Sequence, residues 1–130
     1  MTLELVGSSD GAGPRLRGEG LSAIADAVVR AMKEHLGKGP TRARAHIVDN
    51  HLFVVTQDGF TTVERTLMEA DQSYLVREAR LQVHQRLAET LRPEIERVTG
   101  RPVIGSSSQV VFGPDTDVQI FVLGPSGSPD

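Results

Sequence analysis

The feature that most constrains this chain is an apolar repeat between Tyr74 and Thr99. Val76, Ala79, Val83, Leu87, Leu91, Ile95 and Val98 follow one another at spacings of three and four residues, the seam of a single helix face. Arg77, Arg80, Arg86, Arg92 and Arg97 mostly flank that seam. A continuous helix over this stretch is on the order of 39 Å long at 1.5 Å per residue. Pro93 lacks a backbone donor, so the sequence predicts a kink there or a second helix starting nearby, with Gly100 closing the element. A helix of this length needs a partner layer, and the rest of the chain has to supply it.

The flanking segments read as two hairpins and two further helices. Leu21, Ile24, Ala25, Val28, Met32 and Leu36 form an earlier amphipathic stripe, with Ser22 as a cap unless the helix begins a few residues sooner. Gly37 fits a left-handed C-cap and Gly39-Pro40 forbids continuation. Runs at 43–49 and 51–57 read as a hairpin turning at Asp49-Asn50-His51. Gln57-Asp58-Gly59 is a turn, after which Thr61 or Thr62 opens a short helix with Val63, Leu67 and Met68. Runs at 102–112 and 117–123 form a second hairpin across Gly113-Pro114-Asp115-Thr116. Val118, Ile120 and Val122 alternate with Gln119 and Phe121, so both faces of the last strand are partly apolar. The expected order is α-β-β-α-α-β-β: an α+β fold with one antiparallel sheet and about three helices packed on it. Residues 20–124 form the domain, while the glycine-rich stretch 1–19 and the tail 125–130 are expected to be flexible.

Composition narrows the function classes. The 130 residues contain no cysteine, which removes disulfides, zinc–thiolate sites and thiol catalysis and fits a reducing, cytoplasmic setting. A formal net charge of -3 argues against a dedicated nucleic-acid binder, and 4% aromatic residues without Trp argue against a base-stacking platform. No segment reaches the ~20 apolar residues that span a bilayer, so a membrane link is expected to be peripheral.

Three sets of residues are candidates for binding. In Gly37-Lys38-Gly39-Pro40-Thr41-Arg42-Ala43-Arg44 the glycines let backbone N–H groups approach a ligand, and Lys38, Arg42 and Arg44 supply charge for an anion. The same residues also make a C-cap, a turn and cations that offset a helix dipole, and the spacing is not that of a Walker loop. Glu64 is either a buried carboxylate paired with Arg80 or the third member of a capping box begun by Thr61. Arg80, beside the seam, either forks onto a carboxylate or lays its stem on the core with its head in water. The other helix arginines read as a solvated face.

Catalytic and metal chemistry find little support. His35, His46, His51 and His84 show no metal-ligand spacing, and Ser106-Ser107-Ser108 lacks a nucleophile elbow or a histidine partner in sequence. Asp115 and Asp117 flank a turn residue, the usual place of aspartate in loops. No catalytic residue, metal or cofactor is therefore assigned. The surplus of apolar surface on the last strand and the long helix suggests self-association as a two-fold dimer.

Several segments together resemble the MpsC-like family, named after a sodium-translocating, membrane-potential-generating system. They are Gly37-Lys38-Gly39-Pro40, the hairpin after it, Phe60-Thr61-Thr62-Val63-Glu64-Arg65-Thr66-Leu67, Arg80 in the long helix, Thr99-Gly100-Arg101-Pro102-Val103 and the closing Ile120-Phe121-Val122-Leu123. The resemblance spans about residues 20–124. Lys38 stands where the family usually has Arg, a point charge in place of a fork, and Ser107-Ser108-Gln109 replaces a stretch that often carries an acidic residue. With no catalytic residue assigned, the expectation is a non-enzymatic accessory protein, a homodimer by the surplus above; the resemblance implies that it docks on a membrane protein of an ion- or bicarbonate-linked transport system. The alternatives are a small-anion or nucleotide-binding regulatory domain using the Lys38–Arg44 loop, and an RNA-binding α+β module.

Overall fold

In the computed structural model, which describes residues 18–126, the chain forms three helices and four strands. They are α1 (Glu19–Leu36), β1 (Arg42–Val48), β2 (His51–Gln57), α2 (Thr62–Glu69), α3 (Ser73–Thr99), β3 (Val103–Val111) and β4 (Thr116–Leu123). The order is the α-β-β-α-α-β-β expected from the sequence, and the fold is α+β. The expectations for residues 1–17 and 127–130 lie outside the described residues.

Local chemistry sets most boundaries. Gly37 and Gly100 end α1 and α3 in the left-handed conformation, at φ 82° and 70°, where a side chain would be strained. Thr61 caps α2 with a full capping box. The start of α1 takes the earlier of the two expected positions: Gly18 sits at the N-cap with no side-chain cap, and Ser22 lies inside the helix. No second helix begins at Pro93, because α3 runs unbroken through it. Pro93 is exposed, and apolar contacts on the opposite face, through Leu91 and Ile95, hold the helix across the missing donor.

The two hairpins join through β2 and β4, giving one antiparallel sheet in the order β1-β2-β4-β3. The register places Ile47, Leu52, Phe121 and Val103 toward the helices, where they meet Ile24, Val28, Met32, Leu87 and Ile95 in the main core. Each such side chain taken fully out of water contributes about 1.5–3 kcal/mol. A smaller apolar cluster of Phe60, Val76 and Val110, with Leu67, Met68, Leu81 and Phe112 against it, closes the other end of the molecule.

The seam of α3 is not the one the apolar residues traced. Its buried stripe is Val76, Arg80, His84, Leu87, Leu91, Ile95 and Val98. Ala79 is exposed and Val83 only half-buried. Between Val76 in the small cluster and Leu87 in the main core, the stripe passes through two polar side chains.

Candidate functional site: a buried ionic cluster and the cavity beside it

Arg80 is 1% exposed and sits one turn past Val76. Its Nε and Nη2 donate to the two carboxylate oxygens of Glu64 at 2.8 and 2.7 Å, a bidentate fork. Nη1 donates to Asp117 Oδ2 at 2.6 Å and Nη2 also to the Gly59 carbonyl at 2.6 Å. The ring of Phe60 lies 4.8 Å from the guanidinium centre and covers its face. The two readings of Arg80 are thereby decided for the fork.

Glu64 takes both of its expected roles. Its Oε1 accepts from the Thr61 backbone N–H at 2.8 Å while the Thr61 hydroxyl accepts from the Glu64 N–H at 3.1 Å. The same carboxylate holds Arg80, so one side chain starts α2 and ties it to α3. Burial pushes the Glu64 carboxyl up, but the bonds from Arg80 and from Thr61 outweigh it and hold it below its ordinary value. Burial likewise disfavours the Arg80 charge, and its two carboxylate partners more than reverse this.

Asp117 corrects the loop reading. It is the second residue of β4, 2% exposed, and paired across the sheet with Thr56 and Val110. Its Oδ2 receives His84 Nε2 at 2.8 Å as well as Arg80. Asp115, by contrast, does loop work, its carboxylate accepting from the Phe60 N–H at 2.9 Å. Sequence reading missed His84 and Asp117. The signal was present in part: Arg80 and His84 fall four residues apart, in phase with Val76 and Leu87.

The Gly37–Arg44 residues are dispersed. Lys38 Nζ donates to the Phe60 carbonyl at 3.2 Å, Pro40 is buried beside Gly59, and Thr41 donates to Asp58 at 2.8 Å. Gly39 packs against Val29 and Lys33 of α1. Arg42 and Arg44 are exposed at alternate positions of β1, on the sheet face away from the helices. There a shallow groove of ≈ 560 Å³ runs past Arg42, Arg44, His46 and Val55.

That face is distinctive. Val48, Phe53, Val55, Val118, Ile120 and Val122 share it, each half-buried by its strand neighbours. Arg42, Arg44, His46 and His51 stand at its β1–β2 side, and none of its strand positions carries a carboxylate.

A family model described as the Na+-translocating membrane potential-generating system (MpsC) matches residues 17–124. The chain belongs to the MpsC family. No curated protein and no solved structure matches it. The stretch matched by the MpsC model contains every strand and helix of the described residues and the whole ionic cluster. The MpsC name points to association with a sodium-translocating membrane system. Among the described residues no helix is long and apolar enough to cross a membrane.

Proposed function

We propose that this chain is a non-catalytic accessory subunit of a sodium-translocating membrane system, docking on a membrane-embedded partner through the open face of its sheet. The family match over residues 17–124 carries this reading. The face adds the chemistry of the partner: an apolar centre at Phe53, Val118 and Ile120 beside Arg42 and Arg44 suits an apolar surface bordered by carboxylates. It is a basic patch on a chain of net charge -3. Support for a non-catalytic role comes from Arg80, four of whose five N–H donors are turned to Glu64, Asp117 and Gly59.

The test is reconstitution of the transport system in vesicles, with sodium-dependent membrane potential read by a voltage-sensitive dye. Potential should build with this chain present, and collapse when it is omitted or carries Phe53→Asp. An unchanged potential without the chain would overturn the proposal. Light scattering at micromolar concentration decides the competing occupant: a dimeric mass that Phe53→Asp converts to a monomer would assign the face to a second copy.

A second reading keeps the groove at Arg42 and Arg44 as a small-anion site, favoured by the absence of any carboxylate among its lining residues. A phosphate titration followed at the β1 amides tests it, and unperturbed resonances would rule it out.

A further inference from the structure

Between the middle of α3 and the β3–β4 side of the sheet lies a cavity of ≈ 240 Å³. Two polar side chains in its wall, His84 and Gln119, are each 2% exposed. His84 Nδ1 and Gln119 Nε2 are buried and have no hydrogen-bond partner among the described residues. An orphaned buried polar atom is costly, so two beside one cavity call for something to satisfy them.

The chemistry of that occupant follows from the surroundings. His84 Nε2 faces the Asp117 carboxylate, which only accepts, so the ring hydrogen sits on Nε2. In the neutral ring Nδ1 then carries the lone pair, buried in the cavity wall, and asks for a donor. Gln119 Nε2 asks for an acceptor. Ser106 and Ser108, on the helix-facing register of β3 opposite Phe121 and Gln119, add hydroxyls that rotate to do either. Among the described residues no Asp, Glu, Lys or Arg lines the cavity, so a charged ligand would enter without a counter-charge. Leu81, Ala88 and Phe121 form an apolar wall for a carbon skeleton.

We infer that this cavity binds a small, uncharged, polyhydroxylated molecule, one hydroxyl donating to His84 Nδ1 and another accepting from Gln119 Nε2. A hydroxyl donates and accepts through one atom and so answers both orphans.

The experiment is an NMR titration of the full-length 15N-labelled protein with erythritol and with inositol, and separately with acetate and with phosphate. One of the two polyols should shift the amides of Ser106–Ser108, Gln119 and His84 saturably. The anions should leave them in place. Ser106→Leu, at an exposed lining position on an edge strand, puts a bulky apolar side chain into the cavity and replaces neither orphan. It should weaken polyol binding at least ~10-fold while the rest of the spectrum is retained. Three results would each overturn the proposal: no saturable shift with either polyol, leaving water as the occupant; saturable shifts with acetate or phosphate at these amides; or polyol shifts that persist in Ser106→Leu.

Discussion

Arg80 is the residue on which the small end of the molecule turns, because it is a buried cation held by two carboxylates from different elements. Removing it leaves Glu64 and Asp117 buried without a counter-charge, so Arg80→Leu should cost about 3–5 kcal/mol in denaturant unfolding. Glu64→Gln keeps an oxygen for the Thr61 N–H but loses the charge that Arg80 grips, and should cost about 1.5–3 kcal/mol. Thr61→Ala removes only the cap and should cost about 1 kcal/mol. Acid should expose the same carboxylate. In the folded protein Glu64 takes its proton below the ordinary value of 4.5, at which the unfolded chain takes it. Its contribution to stability is therefore complete above that value and is lost as pH falls through the lower, folded one. The fall in melting temperature over this acidic range should be shallower in Glu64→Gln than in the parent. Sequence pattern made the Glu64–Thr61 box legible, since it is local. The Arg80 fork was one of two open readings, and Asp117 was invisible as a partner because it lies 37 residues away.

At the level of elements, the caps and α3 carry the predictions. Gly37→Ala and Gly100→Ala force a side chain into the left-handed region and should each cost about 1–2 kcal/mol, measured by thermal unfolding. Pro93 is exposed inside a helix, so Pro93→Ala restores one backbone donor and should stabilise by about 1–3 kcal/mol. An unchanged or lowered melting temperature would mean that α3 is bent to accommodate the proline and that the bend is needed. The helix itself was readable because a 3.6-residue period is a property of consecutive residues. Its true buried stripe was not, since Ala79 and Val83 looked better as core than Arg80 and His84 do. A paired arginine is compatible with a core only when its carboxylates are already in place.

For the whole molecule, the open sheet face is the feature that asks for a partner. Phe53→Asp sits on that face away from both cores, so it should cost at most about 1 kcal/mol of stability. The same substitution should abolish rescue of the sodium-dependent potential, a separation between folding and function that a core position would not show. In the last strand the sequence leaves both faces partly apolar, Val118, Ile120 and Val122 on one and Phe121 on the other, without saying which is inward. The register turns Asp117, Gln119, Phe121 and Leu123 toward the helices. A one-residue slip would expose Phe121 and Leu123 and strip Arg80 of Asp117, so α3 selects the register.

The sequence by itself determined the element order, the helix stops at Gly37 and Gly100, the capping box at Thr61 and the family resemblance. Each of these rests on chemistry between near neighbours or on a pattern that runs along the chain. Only the tertiary structure decided which face of β4 is buried, that Asp117 and His84 join Arg80, and that a cavity opens beside them. Those features depend on pairing elements distant in the chain, where burying a charge is tolerable only because another element delivers its counter-charge to the same place.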